Sequence, residues 1–251
     1  MDLGISGRRA AVAASSAGLG LACARALAAE GVRVALCGRQ PDRVDAAVAS
    51  LHAAGGDAVG LVADVSGIEG GAAFVAAAIE ALGGVDILVA NAGGPPPGTF
   101  ASTDLDAYLP ALELNLLSTV AMCKAAVPAM AEQSWGRVVA ITSMTVRQPS
   151  ATLVLSNTAR AGATAFLKTL ATEVAPQGVT VNSVQPGLHA TDRLTQLYGG
   201  DLPAAGRSIP VGQVGDPNNF GAAVAFLCSE HARFITGAAL PIDGGAFAGL
   251  M

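Results

Sequence analysis

Short, almost unbroken apolar runs alternate along this chain with longer stretches in which apolar residues return every three or four positions. The runs "RRAAVAA", "VRVALCG", "AVGLVADVS", "VDILVANAGG", "GRVVAITS", "VTVNSVQPG" and "AALPIDGG" predict seven strands. Between them, "LGLACARALAAEG", "PDRVDAAVASLHAAGG", "IEGGAAFVAAAIEALGG" and "DPNNFGAAVAFLCSE" predict helices, as do runs from about Asp104 to Glu132 and about Ser150 to Ala175. Gly31 reads as a helix stop and Pro41 as a first-turn residue. Strands that are apolar on both faces and separated by helices form a parallel sheet covered on both sides. The predicted fold class is α/β: a single doubly wound domain over residues 1–251, with no linker or repeat. A substrate lid is predicted around 188–214, where Gly, Pro and polar residues break the periodicity.

Composition narrows the partners. The chain is 52% hydrophobic and 13% charged, enough for a large core. A net charge of -5 with no basic stripe excludes nucleic acid and anionic membrane surfaces as partners. Cys23, Cys37, Cys123 and Cys228 are scattered without CxxC spacing, which argues against a disulfide framework or a metal site and for a reducing cytoplasm. Arg8-Arg9 precede an apolar run in the manner of a twin-arginine signal, but glycines and serines break that run and no cleavage site follows. Every apolar stretch of 18 residues carries a charge, so no transmembrane span is predicted.

In a doubly wound sheet, ligands bind beyond the carboxyl ends of the strands, and three features fall there. The first is "AASSAGLG" after the first strand: Gly18 and Gly20 let backbone approach a pyrophosphate at a helix N-terminus, and Ser15 and Ser16 add hydroxyls. The second is Arg39 after strand two, where an arginine pairs with a ribose 2′-phosphate and an acidic residue would hold a free hydroxyl. It selects NADP over NAD. The third is Asp64, an acceptor for an adenine amino group, together with the tight polar strand end Asn91-Ala92-Gly93. Each alone is an ordinary turn; at successive strand ends they predict a dinucleotide site.

These motifs, with "ELNLL", "AITS", "VTVNSVQPGLHAT" and "FITGAALPIDGG", resemble the short-chain dehydrogenase/reductase family, most of all its ketoacyl-carrier-protein reductase branch. The resemblance spans nearly the whole chain. It implies a Rossmann-like sheet of about seven strands, a homodimer or homotetramer, and NADPH-dependent carbonyl or alcohol chemistry. It places Gly18, Leu19 and Gly20 on the pyrophosphate turn, Asp64 and Val65 at the adenine, and Asn91 to Gly93 behind the nicotinamide ribose. Pro186, Gly187, Leu188 and Thr191 fall on the stretch that grips the nicotinamide carboxamide, and Asn115 and Ser143 on catalytic positions.

Three departures stand out. Ala14 replaces the first glycine of the turn, which requires a negative φ there. Thirteen residues after Ser143, where the family has its tyrosine, stands Ser156; four further on, Arg160 replaces its lysine. Ser156 is no acid at working pH, and Arg160 either contacts the cofactor ribose in the lysine's stead or faces solvent. Ser143 remains to hydrogen-bond a substrate oxygen. Beside Ser143 the candidate donors are His189, Tyr198 folding in from the lid, and a phenol of the substrate beside its own carbonyl; the outer histidines His52 and His231 read as solvated. Pro95 and Pro96 in "GGPPPGTF" predict a stiff wall for a bulky planar substrate. The "LSN" pattern is similar to an unusual subset of the family that includes reduction of angucyclinones, polycyclic aromatic polyketides of antibiotic biosynthesis. The alternatives are a 3-oxoacyl or small-carbonyl reductase using another side-chain acid, and a non-catalytic NADP-binding protein.

Overall fold

The structure, a computed structural model, describes residues 1–197 and 201–250. Its strands are β1 (Arg9–Val12), β2 (Arg33–Gly38), β3 (Ala58–Val62), β4 (Ile87–Ala90), β5 (Gly136–Ile141), β6 (Val179–Pro186) and β7 (Ala239–Ile242). They pair in parallel throughout in the order β3-β2-β1-β4-β5-β6-β7. Strand order reverses between β1 and β4, which puts the switch point at the carboxyl ends of those two strands.

Side chains alternate between the two faces. Val12, Leu36, Val89, Ile141 and Val184 join the core beneath α1 (Gly18–Ala29), α2 (Pro41–Ala53) and α9 (Pro217–Cys228). Ala11, Ala35, Leu88, Val138 and Val181 face α3 (Gly67–Leu82), α5 (Ser118–Glu132) and α6 (Val154–Val174). Both sheet faces are therefore dry, as the apolar runs predict. All four cysteines are free and buried, and burial pushes the Cys37, Cys123 and Cys228 thiols up to about 12, so none is nucleophilic.

The long helical run expected from Asp104 to Glu132 begins at Leu105 and is not uniform. A 3₁₀ turn leads into α4 (Tyr108–Leu112), a π turn covers Glu113–Leu117, and α5 follows. By length and composition this run is apolar enough to cross a membrane, but half of that stretch is buried against the protein's own core. Within 188–214, two short helices form, α7 (Asp192–Leu197) and α8 (Leu202–Gly206).

The opposite, amino-terminal end of the sheet is clamped by charge. Arg9 grips Asp86 with Nε to Oδ2 at 2.8 Å and Nη2 to Oδ1 at 2.7 Å, its backbone N–H adds a third bond at 2.9 Å, and Gln133 a fourth at 3.1 Å. Burial of Asp86 raises its pKa, but these donors together outweigh that and hold it below the usual carboxylate range. A depressed carboxylate contributes stability above its unfolded pKa, and that stability is lost as pH falls through the folded value. Asp86→Asn is expected to cost about 2 kcal/mol at pH 7, and the deficit should shrink below about pH 4. Urea unfolding of both proteins at a series of pH values checks this; a pH-independent deficit contradicts the clamp.

Candidate active site

The turn after β1 departs from expectation at its first residue. Ala14 sits at φ +45°, not at a negative φ. Its carbonyl turns to accept from Asn91 Nδ2 at 3.1 Å, and its N–H points at Cys37 Sγ, 3.3 Å away. The left-handed conformation costs an alanine roughly 1–2 kcal/mol, and these contacts hold it there. Gly18 also has a positive φ, +58°. At Gly20 any Cβ would come within 3 Å of Ala14 O, Ser15 Cα and Asn91 Nδ2, so only glycine lets α1 start this close to the strand ends. Leu19, between the two glycines, is half-buried and packs on the α1/α9-side core. The open helix N-terminus beside a bare glycine turn suits a pyrophosphate.

Ser15 does not belong to that cradle. It is fully buried, donates through Oγ to Val12 O at 2.5 Å and accepts from Cys37 N at 3.1 Å, stitching β1 to β2. Its hydroxyl is spent. Ser16 is half-buried and packs over Gly38, at the end of β2, where a Cβ would collide with its hydroxyl. Arg39 and Asp64 are exposed at the ends of β2 and β3. The Asp64 carboxylate takes the Ser66 N–H at 3.0 Å and its hydroxyl at 2.8 Å, and these bonds, with Arg39 nearby, lower its pKa. Val65 beside it is buried. From the far side of the groove Thr191 reaches Gly18, its methyl 3.7 Å from where a Cβ would stand, and Asp192 meets Arg43 of α2 at 3.3 Å.

At the ends of β4 and β5 the two catalytic substitutions come together. Arg160, in the second turn of α6, donates through Nη1 to Ile141 O at 2.8 Å and Thr142 O at 3.1 Å, and through Nη2 to Gly93 O at 3.3 Å. Burial, then the neighbouring Arg193 charge, bring its pKa down to about 10, so it stays cationic at neutral pH. Asn115, in the π turn, donates through Nδ2 to the same Gly93 O at 2.8 Å, and its buried Oδ1 has no partner among the described residues. Ser143, past the end of β5, accepts the Thr145 N–H at 3.1 Å and lies 3.0 Å from Thr145 Oγ1. With Thr145 donating, the Ser143 proton is free to point outward. Ser156 stands in the first turn of α6, its hydroxyl without a hydrogen-bond partner among the described residues.

The proline loop is fastened to this helix start: Gly98 N donates to Thr152 O at 2.8 Å and Val154 N to Gly98 O at 3.2 Å. Pro95 is buried and Pro96 exposed, so Pro96 offers the surface. At the end of β6, Pro186, Gly187 and Leu188 are half-buried, with Gly187 N bonded to Ile242 O at 3.0 Å. His189 is not placed as an acid for this cleft. Its ring is buried edge-on against Phe220 of α9, on the other side of the sheet from α6, and burial lowers its pKa, which keeps it neutral. Tyr198 lies outside the described residues. His52 and His231 bond to Ala58 O, at the start of β3, and to Asp2 O, away from the carboxyl ends of the strands. Sequence reasoning missed Thr145, which sets Ser143, and Asn157, whose Nδ2 holds Ser150 O at 2.8 Å. The spacing of serine and threonine in "SMT" was the available signal for the first.

Two outcomes follow from this geometry. Ala14→Gly should relieve left-handed strain and stabilise the chain by about 0.5–1 kcal/mol, net of glycine's greater unfolded entropy, in a urea titration. Arg160→Met should cost about 3 kcal/mol without any ligand, because three carbonyls lose a charged donor. Arg160→Lys, with a point charge in place of a fork, should recover only part. An arginine that merely touched a bound dinucleotide would leave unliganded stability unchanged.

The chain matches the family described as Enoyl-(Acyl carrier protein) reductase over residues 13–246. It is 33% identical over 244 residues to human "Dehydrogenase/reductase SDR family member 4", covering 96% of this chain and 88% of that protein. The L-sorbose reductase of Gluconobacter frateurii, solved with NADPH and L-sorbose, superposes with a TM-score of 0.92 at 33% identity, each chain covered in full. A variant of actinorhodin polyketide ketoreductase, solved with NADPH, gives 0.90 at 30% identity over 96% of this chain and 98% of that one. The parallel seven-stranded sheet, the glycine turn at its switch point and these likenesses agree: the chain belongs to the short-chain dehydrogenase/reductase family of oxidoreductases.

Proposed function

We propose that the chain is an NADPH-dependent ketoreductase that reduces one carbonyl of a polycyclic aromatic polyketide, of angucyclinone type, to an alcohol. The observation that carries this reading is the fate of the two substituted positions. Ser156 is no acid, and the Arg160 cation is committed to Gly93, Ile141 and Thr142 carbonyls. Ser143 supplies a hydrogen bond to the substrate oxygen, and Asn115 fixes the strand end beside it. The remaining proton then comes from the substrate itself, a phenol hydrogen-bonded to the reacting carbonyl.

The residues fit NADPH. Gly18, Leu19, Gly20 and Ser16 receive its pyrophosphate side, Arg39 its 2′-phosphate, Asp64 and Val65 its adenine, and Asn91 to Gly93 its nicotinamide ribose, with Pro186 to Leu188 and Thr191 against its carboxamide. NADPH in two of the similar structures named above supports this assignment. When bound, it supplies hydride to the carbonyl carbon. Arg160 acts below that point as a positioning residue. Holding donor and ketone in register is worth about 7–11 kcal/mol, against roughly 10²–10⁴ in rate for a missing acid. We assign the substrate side to Pro96 and to a lid over 188–214, of which Tyr198 lies outside the described residues. We further place the protein in the cytoplasm as a homodimer or homotetramer.

The test is NADPH oxidation, followed by absorbance, over a panel of aromatic ketones with and without a hydroxyl beside the carbonyl, alongside 3-oxoacyl thioesters. Hydroxylated polycyclic ketones should turn over about 10²-fold faster than their deoxy analogues. Equal rates would remove the substrate phenol from the mechanism. Preference for the thioesters would favour the acyl reductase, and NADPH binding without oxidation of any ketone a non-catalytic protein.

A further inference from the structure

A second arginine stands over the strand ends that Arg160 occupies. Arg193 lies in α7 and reaches Gly94, where its Nη1 donates to the carbonyl at 3.4 Å. A Cβ at Gly94 would come within 3 Å of Arg193 Nη1, Nη2 and Cζ, so the guanidinium rests on the bare glycine and only glycine admits it. Its chain neighbours hold it there. Thr191 packs on Gly18, Asp192 pairs with Arg43 at 3.3 Å, and Leu194 is buried.

Two guanidinium groups therefore converge on consecutive carbonyls, Arg160 on Gly93 O at 3.3 Å and Arg193 on Gly94 O. They are close enough that the Arg193 charge helps to lower the Arg160 pKa. Like charges repel unless an anion lies between them, yet neither arginine forms an ion pair with a carboxylate among the described residues. The two differ in what they can still do. Arg160 is committed to three carbonyls. Arg193 is exposed, and its single long bond leaves most of its five donors without a described partner. Gly94 leads directly into Pro95 and Pro96, and Thr142, whose carbonyl Arg160 holds, leads into Ser143. The uncommitted cation thus stands at the strand ends from which both Ser143 and the proposed substrate wall depart.

We propose that Arg193 is a catalytic residue that pairs with the negative charge left on the substrate when its ketone is reduced. The inference rests on the ketoreductase reading and deepens it. The carbonyl carbon gains its C–H bond from the hydride that bound NADPH supplies, and the C=O π pair moves onto oxygen. That alkoxide takes the proton of the neighbouring phenol, whose O–H bond breaks, and a phenolate remains beside the new alcohol. Arg193 donates N–H bonds to the phenolate and keeps its own protons; the phenolate regains a proton from water after release. A charge-assisted bond that strengthens only as this charge develops favours the transition state over the bound ketone.

The experiment compares wild type, Arg193→Gln and Arg193→Lys on 8-hydroxy-1-tetralone and 1-tetralone. In Arg193→Gln, kcat for the hydroxy ketone should fall about 10²-fold with KM nearly unchanged, and the rate for 1-tetralone, which leaves no phenolate, should change little. Arg193→Lys should recover part of the loss. A second readout needs no turnover: absorbance titration of 8-hydroxy-1-tetralone on the NADP-saturated protein should show about tenfold more phenolate at a given pH in wild type than in Arg193→Gln. Calorimetry should find the same NADPH affinity in both proteins. Equal kcat and equal phenolate in the two would overturn the proposal while leaving the ketoreductase reading in place. Weakened NADPH binding with unchanged phenolate would also overturn it, making Arg193 a phosphate ligand. A wild type that reduces neither ketone would overturn the reading and the proposal together.

Discussion

The site depends on one guanidinium. Past the last rung of a parallel ladder, carbonyls at the carboxyl ends of β4 and β5 have no strand left to pair with and need donors from elsewhere. Arg160 reaches them from α6 and satisfies Gly93, Ile141 and Thr142 at once. A planar fork with donors at fixed angles does this; an ammonium at the same place would reach fewer. Burying the cation is costly, and the carbonyl dipoles offset that cost. Gly93 O also takes the Asn115 amide, so the π turn, the β4 end and α6 converge on a single oxygen.

The two departures at catalytic positions, Ser156 and Arg160, are consequently one. A tyrosine works as an acid when a nearby cation lowers its pKa and can exchange protons with its surroundings. Arg160 holds its charge at neutral pH and points it at main-chain oxygens, so a phenol at position 156 would gain little from it. Serine there and arginine here form a consistent pair, and the proposed mechanism accordingly takes its acid from outside α6. Arg193, which donates to Gly94 O at 3.4 Å and faces Arg160, adds a second positive charge over the same strand ends. Positive potential at that point favours phosphate on one side and a developing alkoxide on the other.

Much of this was legible in the chain. Apolar runs gave all seven strands because both faces of a parallel sheet are dry, and glycine spacing marked the cofactor turn. What was illegible has physical reasons. Ser15 looks like one more hydroxyl of the turn, but it lies one residue too deep and is consumed by β1 and β2. Ala14 seemed to forbid a positive φ, and only the Asn91 amide and the Cys37 sulfur, both distant in sequence, explain why alanine tolerates it. The π turn in "ELNLL" preserves the apolar spacing of an α-helix, so no periodicity reveals it. His189 follows β6 where no alternation applies, and its side of the sheet is set by Phe220 and Gly215. Arginine four residues after Ser156 fits solvent, cofactor or carbonyls equally well until β4 and β5 are in place.

The stretch from Gly187 to Thr191 shows how the two halves of the site are built on different principles. Gly187 N bonds to Ile242 O, Gly215 N to Leu188 O and Ala190 N to Gly215 O, while Thr191 rests on Gly18. Main chain fixes main chain, so side chains can change there without disturbing the dinucleotide groove. The wall proposed for the substrate side is a proline loop, joined to the start of α6 by the Gly98 pairings with Thr152 and Val154 and to Arg160 through Gly93 O. Proline removes backbone donors and rotational freedom together, which makes that wall stiff and apolar without needing a ladder of its own. Such a wall discriminates by shape, and a shape filter passes a flat fused ring while offering it no proton. The proposed role of a substrate phenol follows from such a wall, since the substrate would have to bring its own hydrogen bond to the carbonyl.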